Sequence, residues 1–281
     1  MIKAQDIARY YDQSYAHYVQ HWGLNRHQAM HYGLWWPETR SFGQALLNTQ
    51  QYLFKHSHLH SGARVLDSGC GVGGPARWLA TQGTYQIEGI SLSEKQVILA
   101  QKRAEVEGVS QQVAFSVQDF HRTDFPDQSF ELIWNLESAC HASNKAQLAA
   151  EARRILKPGG RWLICDFVKS PKPGKYSSHS AYQNWLAGWA MPDLTSFAEW
   201  EALLRIQGFE LKHKQDLTQE IYPSARRLYR RFLMGFPIQK LYEWLGSPSE
   251  VQRKSVRTAL WQWQALQGAW WEYGLMVAVK P

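Results

Sequence analysis

The sequence has few cysteines and no long apolar run. Its three cysteines, Cys70, Cys140 and Cys165, fit neither a zinc-binding nor a disulfide spacing. No apolar stretch approaches the roughly 20 residues that a membrane-spanning helix needs, and the N-terminus lacks the apolar core of a signal peptide. These absences argue against a disulfide-stabilised secreted domain and an integral membrane protein, so we expect a cytoplasmic protein.

Aromatic and basic residues are abundant instead. The 281 residues include 14 tryptophans and carry a net charge of +7, which suits one large domain with an insertion. Residues 211–281 alone hold a net +6. A basic C-terminal region is consistent with nucleic acid, an anionic small substrate, an anionic membrane surface or an ordinary solvated helix face.

Short apolar segments alternate with helical patterns from residue 63 onwards, which predicts an α/β fold with a mostly parallel sheet. Helical, aromatic segments precede this region and interrupt it before the last strand. We therefore divide the chain into a helical lid (1–60), an α/β core (61–216), a helical insertion (217–270) and a last core strand (271–281). The predicted strands are Ala63–Asp67, Tyr85–Ile90, Val113–Val117, Phe130–Trp134, Arg161–Val168, Phe209–Asp216 and Tyr273–Val279.

The segment Val65–Gly74 places glycines directly between a strand and a helix. Glycine there allows positive φ and lets a ligand approach the backbone, while the helix N-terminus favours an anionic group. Gly69, Gly71 and Gly74 also satisfy G-x-G-x-x-G, so a dinucleotide-binding enzyme is a rival interpretation. The glycines alone do not distinguish a dinucleotide-binding turn from a turn that binds another ligand.

Asp67, two residues before the first glycine, favours one interpretation. With it, the segment resembles motif I of the class I S-adenosylmethionine (SAM) dependent methyltransferases. The resemblance implies a Rossmann-like sheet of seven strands, the last antiparallel, with a helical cap. It also implies SAM as cofactor and S-adenosylhomocysteine as product. In this family the acid helps to hold the methionine part of SAM, and residues matching Gly69 and Gly71 bring the backbone against it.

Other segments carry the resemblance across most of residues 62–168. Val117-Gln-Asp-Phe120 resembles the adenine site, which assigns Asp119 to the amino group and Phe120 to the ring. Gly89-Ile-Ser-Leu-Ser-Glu-Lys-Gln96 lacks the usual ribose-binding acid and resembles the variant of cyclopropane fatty acid synthases and tocopherol methyltransferases. There a hydroxyl and a glutamine, here Ser91 and Gln96, serve the ribose.

The segment Asn135–His141 follows the fourth strand and should face the site, because ligands bind beyond the carboxyl ends of parallel strands. It resembles a signature of sterol and tocopherol-like C-methyltransferases. Asn135 and Leu136 are assigned to the cofactor, and Glu137, His141 and Asp166 are the catalytic candidates. A carboxylate can stabilise a carbocation and a base can remove its proton. Alternatively, Glu137 only positions SAM and His141 is structural.

Candidate acceptor-binding residues lie in both helical additions. Tyr11, Tyr32 and Trp35 resemble the lid of the same relatives, although plain core packing explains each equally well. Arg226 and Arg230 share a helix face and suit the phosphates of a prenyl diphosphate or an anionic lipid surface. A solvent-exposed face with ion pairs is the alternative.

These patterns predict SAM-dependent methyl transfer to a small hydrophobic acceptor. A carbon atom of an isoprenoid or prenyl-quinone-like molecule is favoured, and natural-product O- or N-methylation is the alternative. A nucleic-acid-binding enzyme or a non-catalytic protein of this fold is less favoured, since Asn135-Leu-Glu-Ser138 is not the N/D-P-P-Y/F motif of nucleic-acid enzymes. The spacing of histidines and cysteines predicts no metal site.

Overall fold

The computed structural model describes residues 2–172, 174–245 and 250–281 and contains one seven-stranded sheet. The strands are β1 Arg64–Ser68, β2 Gln86–Ser91, β3 Val113–Val117, β4 Phe130–Leu136, β5 Leu156–Lys169, β6 Glu210–Asp216 and β7 Trp271–Val279. Their order across the sheet is β3-β2-β1-β4-β5-β7-β6. Strands β1 to β5 pair in parallel, and β7 runs antiparallel to both neighbours. The predicted α/β sheet with an antiparallel last strand is confirmed.

Helices precede the sheet, alternate with its strands and fill the segment before β7. They are α1 Ala4–His17, α2 Leu24–His27, α3 Phe42–Ser57, α4 Gly74–Ala80, α5 Glu94–Val106, α6 Lys145–Ile155, α7 Ser180–Gly188, α8 Phe197–Ile206, α9 Thr218–Leu245 and α10 Glu250–Gln267. A π-helical turn, Tyr18–Trp22, extends α1. Within the described ranges, no helix combines the length and apolar character needed to cross a membrane.

The sheet separates two hydrophobic cores. On one face α6 and α8 bury Leu148 and Trp200 against the strands. On the other face α3, α4 and the cap helices bury residues such as Leu53, Leu79 and Trp185. Each fully buried large apolar side chain stabilises the fold by about 1.5–3 kcal/mol. Both faces are covered, which leaves the carboxyl edge of the parallel strands for a ligand.

Side-chain caps fix where the helices next to that edge begin. The Ser93 hydroxyl accepts from the Gln96 amide at 3.1 Å at the start of α5. The Asn144 side-chain Oδ1 accepts from the Gln147 amide at 3.0 Å at the start of α6. A cap of this kind contributes about 1 kcal/mol. It also fixes the loop before each helix, and these loops form the wall of the site.

Two segments differ from the sequence prediction. The predicted fifth strand begins at Arg161, whereas β5 begins at Leu156, and residues 157–160 form a bulge within it, where the register shifts. Helix α7 is not predicted from its sequence pattern, although its buried residues Tyr182, Trp185 and Leu186 share one face. The predicted helical insertion 217–270 contains α9, which begins at Thr218, and α10, and residues 246–249 between them lie outside the described residues.

Candidate active site

The glycine-rich turn after β1 is pressed against two other segments. Its φ angle is +98° at Gly69 and +54° at Gly71, a region that glycine adopts at little cost. A Cβ added at Gly69 would lie 2.3 Å from the Ser138 Cβ, and one at Gly74 would lie 1.8 Å from the Gln28 carbonyl oxygen. Side chains are therefore excluded at these positions, and the backbone itself forms the floor of the site.

Asp67 ends β1 as a buried acid. Its side chain is 2% exposed, and burial raises the pKa of its carboxyl to about 7. The Oδ2 atom has no hydrogen-bond partner. A buried acceptor without a partner costs about 1–3 kcal/mol. An ammonium group placed against it would remove that cost, so Asp67 fits the amino group of a bound amino acid moiety.

An open cavity, the cofactor cavity, lies at the carboxyl ends of β1, β2 and β4 and holds about 800 Å³ of empty space, its mouth to the solvent included. Of the sequence-predicted site residues, those that line it are Tyr11, Asp67, Gly69, Gly71, Ser91, Gln96, Phe120, Leu136, Glu137 and His141. Five separate segments of sequence therefore converge on one cavity, as expected for a ligand site at this edge of a parallel sheet.

Ser91 and Gln96 are brought together at the end of β2. The Ser91 hydroxyl donates to Gln96 Oε1 at 2.7 Å and accepts from the Ser93 amide at 3.1 Å. Both side chains line the cofactor cavity. A hydroxyl and an amide can bind ribose hydroxyls without a fixed negative charge. Their role towards ribose remains a prediction that the geometry permits.

Asp119 and Phe120 differ in their relation to the cavity. Phe120 lines it, whereas Asp119 does not. The Asp119 Oδ1 accepts from His121 Nδ1 at 2.7 Å and from the His121 amide at 2.9 Å. These bonds hold the pKa of the Asp119 carboxyl below its ordinary value. Phe120 is therefore placed to cover a ring, and Asp119 is bound through one oxygen to its neighbour.

Asn135 belongs to the scaffold rather than to the cavity wall. Its amide nitrogen donates to the Ser68 carbonyl and to the Ser138 hydroxyl, both at 2.9 Å. Its Oδ1 accepts from the Trp162 indole at 2.7 Å. These bonds join β1, β4 and β5 beneath the site. Only Leu136, the next residue, faces the cofactor cavity.

Glu137 follows β4 with φ of +51°, which is uncommon for a residue with a side chain. Its Oε1 accepts from the Tyr32 amide at 2.6 Å and from the Tyr273 hydroxyl at 2.7 Å. Burial raises the pKa of the carboxyl to about 8. Glu137 is thus protonated at neutral pH, and a cation brought close to it would favour the carboxylate.

His141 lies in a 3₁₀ turn, Ala139–His141, beyond the end of β4. Its Nδ1 lies 3.1 Å from the Ala190 carbonyl oxygen, so Nδ1 carries a proton and donates. The Nε2 lone pair is then free to accept from the Tyr11 hydroxyl at 2.7 Å. Burial lowers the pKa of the imidazole to about 4. His141 is therefore a neutral group that can take a proton.

Asp166 supports the His141 turn from below. Its Oδ2 accepts from the Cys140 amide at 2.9 Å, and burial raises the pKa of its carboxyl to about 6. The Lys145 ammonium donates to the Ala142 carbonyl of the same turn at 2.6 Å. Asp166 lines neither described cavity. This position suits a residue that holds His141 in place rather than one that contacts a ligand.

A second open cavity, the aromatic cavity, adjoins the first and holds about 350 Å³ of empty space, its mouth to the solvent included. The two share Tyr11, Met30, Glu137 and His141. The rest of the aromatic cavity is lined by Tyr10, Tyr18, Trp22, Cys140, Phe167, Trp189 and Met191. No lysine or arginine from the described part of the chain lines either cavity. The protein thus places an uncharged aromatic space directly beside the cofactor cavity.

Tyr32 and Trp35 lie outside both cavity walls. The Tyr32 ring packs at 5.7 Å from Phe167 and 6.4 Å from Trp189, so it forms a layer behind the aromatic cavity. The Trp35 indole donates to the Ser224 hydroxyl of α9 at 2.9 Å. Tyr32 can influence the shape of the aromatic cavity, whereas Trp35 joins the N-terminal segment to α9.

Arg226 and Arg230 are exposed on α9 and line neither cavity. The intervening Arg227 is half-buried, with its guanidinium 3.9 Å from the centre of the Phe42 ring. Burial lowers the pKa of Arg227 to about 10. The geometry therefore gives no support for a diphosphate bound by Arg226 and Arg230 inside the site.

Several cavity residues are missing from the sequence prediction. Tyr18 and Trp22 continue the spacing of Tyr11 and Tyr15 by three and four residues, so a longer helical pattern would have revealed them. Trp189 comes from a segment with no comparable signal, because it meets the others only through tertiary packing.

The strand order, the acid that ends β1 and the glycine turn define a class I methyltransferase fold. Residues 66–164 match the family model described as a methyltransferase domain. The chain is 34% identical over 213 residues to 27-O-demethylrifamycin SV methyltransferase of Amycolatopsis mediterranei, a match that covers 76% of each chain. The chain therefore belongs to the SAM-dependent methyltransferases, and its cofactor is SAM.

Two further relatives extend the comparison. Sterol 24-C-methyltransferase of Aspergillus fumigatus is 28% identical over 244 residues, which cover 85% of this chain and 60% of that protein. The crystal structure of geranyl diphosphate C-methyltransferase from Streptomyces coelicolor, in complex with Mg²⁺, geranyl diphosphate and S-adenosylhomocysteine, has a TM-score of 0.78 at 18% identity. That match covers 99% of this chain and 97% of the other, and it shows a shared fold.

Proposed function

We propose that this protein methylates a small, uncharged and largely apolar acceptor bound in the aromatic cavity, with a carbon atom of an isoprenoid or prenyl-quinone-like molecule favoured. The proposal rests on the wall that separates the two cavities, because the same residues line both of them. Tyr11, Glu137 and His141 line both cavities, so an acceptor in one lies next to a cofactor in the other. Holding two reactants in line is the main contribution of an enzyme to such a displacement.

The lining of the aromatic cavity supports an uncharged acceptor. Tyr10, Tyr18, Trp22, Phe167 and Trp189 supply ring faces, and the described lining holds no lysine or arginine that could pair with a diphosphate. Burying an unpaired phosphate charge in such a site is costly. Sterol-like and quinone-like molecules meet this condition, and the 24-C-methyltransferase relative carries a sterol in its name.

Carbon methylation would use the shared residues in a defined order. When bound, SAM supplies an electrophilic methyl group. The π electrons of an acceptor alkene would form the new C–C bond while the S–CH3 bond breaks and its electron pair stays on sulfur. S-adenosylhomocysteine is then the leaving group, and the adjacent carbon of the acceptor is a carbocation. The aromatic faces and the ionised form of Glu137 stabilise that charge. His141 Nε2 then removes a proton from the neighbouring carbon, which restores the double bond.

Oxygen methylation of a natural product is the second candidate. The specific observation is the bond from the Tyr11 hydroxyl to His141 Nε2 at 2.7 Å. An acceptor hydroxyl in the place of the Tyr11 hydroxyl would give its proton to the same nitrogen. The rifamycin relative is an O-methyltransferase by name. In this reaction Glu137 has no cation on the acceptor to stabilise.

The decisive experiment supplies methyl-labelled SAM with four acceptor classes and analyses the products by mass spectrometry. The classes are uncharged isoprenoids including prenyl quinols and sterols, prenyl diphosphates, hydroxylated polyketides and amines. A C-methyl product from an uncharged isoprenoid supports the proposal. An O-methyl product supports the second candidate. Turnover of prenyl diphosphates alone would contradict the argument from the uncharged lining.

A further inference from the structure

Helix α1 reaches both ends of the site through consecutive residues. Tyr11 donates to His141 at the acceptor end, at 2.7 Å. Asp12, the next residue, accepts from the Ser93 hydroxyl at 2.5 Å on the opposite side. No function has been given so far to Asp12, which faces the loop between β2 and α5 rather than the cavity lining.

Ser93 connects Asp12 to the predicted ribose residues. Its amide donates to the Ser91 hydroxyl at 3.1 Å, and its hydroxyl accepts from the Gln96 amide at 3.1 Å. Ser91 and Gln96 line the cofactor cavity, whereas Ser93 lies behind them with 1% exposure. A change in the placement of either residue therefore reaches Ser93 and, through one hydrogen bond, Asp12 on α1.

A second contact also joins α1 to the beginning of α5. The Lys95 ammonium lies 4.8 Å from the centre of the Tyr15 ring, one helical turn after Asp12. Such contacts at exposed positions contribute about 0.5–1 kcal/mol. Tyr15 and Asp12 thus attach one side of α1 to the first turn of α5, and Tyr11 attaches the other side to His141.

We propose that Asp12 is a positioning residue that couples occupancy of the ribose end of the cofactor cavity to the closed position of α1. Helix α1 supplies Tyr10 and Tyr11 to the aromatic cavity. Bound cofactor, by fixing Ser91, Gln96 and hence Ser93, then completes the acceptor site through α1. The proposal rests on SAM binding and the ribose assignment, not on the identity of the acceptor.

Trypsin cleavage after Arg9 in α1 provides a readout that needs no acceptor. The Arg9 side chain is 65% exposed, but cleavage within a helix requires that the helix open locally. We expect S-adenosylhomocysteine to slow this cleavage in the native protein by about tenfold, the size of one hydrogen bond to a charged group. The Arg9–Tyr10 bond is followed by mass spectrometry, and ligand binding is measured in parallel by calorimetry.

The variants separate coupling from general damage. In Asp12→Ala we expect faster cleavage and little or no protection by S-adenosylhomocysteine at saturating ligand, with a retained melting temperature. Because coupling is reciprocal, S-adenosylhomocysteine should still bind, with its affinity lowered by no more than about tenfold. Asp12→Asn should keep most of the protection, because its amide oxygen still accepts from Ser93. Gln13→Ala, a change at the neighbouring exposed position, is the matched control. In Ser93→Ala, protection should also be lost, and adding Asp12→Ala should change it no further.

Two results would overturn the proposal. One is full protection of Asp12→Ala by bound S-adenosylhomocysteine, which would place the coupling elsewhere. The other is loss of S-adenosylhomocysteine binding by a folded Asp12→Ala, since Asp12 would then contact the cofactor itself. Neither result depends on which acceptor is methylated, so each is distinguishable from failure of the proposed function.

Discussion

Glu137 illustrates how one buried side chain is tuned at the residue scale. Two donors converge on its Oε1, the Tyr32 amide and the Tyr273 hydroxyl. They offset only part of the penalty of burial, so the pKa of the carboxyl is still raised to about 8. The neutral form is therefore the stable one in the free protein. A positive charge in the site would convert it to the form that stabilises a cation.

This tuning predicts a pH-dependent stability. The folded pKa of Glu137 is raised to about 8, so between its unfolded value and pH 8 only the folded state binds this proton. The unfolding free energy should therefore fall as pH rises, by about 1.4 kcal/mol per pH unit for one group. Buried Asp67, with its pKa raised to about 7, acts in the same direction but contributes little above pH 7.

Urea unfolding of the ligand-free protein from pH 7 to 8.5 measures this effect. Glu137→Gln keeps an oxygen to accept from Tyr32 and Tyr273 but has no proton to lose, so its unfolding free energy should be nearly flat over that range. A Glu137→Gln variant with the native slope would contradict the raised pKa of Glu137.

Tyr11 and His141 carry a second prediction at this scale. Tyr11→Phe removes the hydroxyl that donates to His141 Nε2 and orients the imidazole, and loss of this orientation should lower kcat by about 10- to 100-fold. SAM affinity should stay within about threefold, since other residues form most of the cofactor cavity. Tyr15→Phe, on the same helix but outside both cavities, is the matched control.

The pH profile of kcat tests the same pair independently. Burial lowers the pKa of His141 to about 4, so the imidazole is neutral throughout the range from pH 5.5 to 8. We expect no loss of activity from His141 protonation in that range. A fall in kcat with an apparent pKa near 6.5 that disappears in His141→Asn would show that His141 is not held neutral.

At the scale of elements, the glycine turn holds the N-terminal segment against α4. A Cβ at Gly74 would lie 1.8 Å from the Gln28 carbonyl oxygen, so Gly74→Ala must displace backbone. We expect a loss of stability of about 1–3 kcal/mol. SAM binding should weaken at least about tenfold, because residues 28–31 line the cofactor cavity.

Gly108→Ala is the matched control for Gly74→Ala. Gly108 has φ of +71° and open space around its Cβ position. Alanine there should cost about 1–2 kcal/mol through backbone strain alone and leave SAM binding unchanged. Equal loss of SAM affinity in both variants would indicate that general destabilisation, not the turn, controls binding. Calorimetric titration with SAM distinguishes the two outcomes.

At the scale of the whole molecule, the described part of α9 has a face that combines basic and apolar side chains. Arg226 and Arg230 are exposed on α9, and Leu233 and Met234, 50% and 68% exposed, continue the same face. We propose that this face contacts anionic membrane surfaces, where an apolar acceptor would partition. Basic groups near such a surface contribute about 1 kcal/mol each.

Vesicle sedimentation tests this surface. The double variant Arg226→Ala/Arg230→Ala should bind phosphatidylserine-containing vesicles about 10- to 30-fold more weakly than the native protein. The control double variant Lys55→Ala/Lys102→Ala removes the same charge from other exposed positions. Equal losses in both variants would show that only net charge matters. Turnover of a water-dispersed acceptor should stay unchanged in either variant.

Local patterns determined much of the fold and the cofactor. The strand and glycine patterns around Val65–Gly74 depend on neighbours in sequence, and they predict the sheet, the turn and SAM. Helix α7 shows the limit of such patterns. It has only nine residues, from Ser180 to Gly188, so its few buried side chains do not repeat often enough to indicate a helical period. The bulge in β5 shows another limit, since Pro and Gly indicate a turn whether or not pairing continues around it.

The acceptor end was decided by tertiary structure. Glu137 meets Tyr32 and Tyr273 across 105 and 136 residues, and His141 meets Tyr11 across 130. Hydrogen-bond partners and burial set the pKa values of these groups, and no periodicity in the sequence encodes contacts at such separations. The same reason explains why the prediction for Arg226 and Arg230 lacks support. Arginine suits phosphate, but the fold places both residues on the exposed side of α9, outside both cavities. The sequence alone thus determined the cofactor and the glycine turn after β1. The packing of the helical cap decided which side chains form the aromatic cavity beside the cofactor cavity.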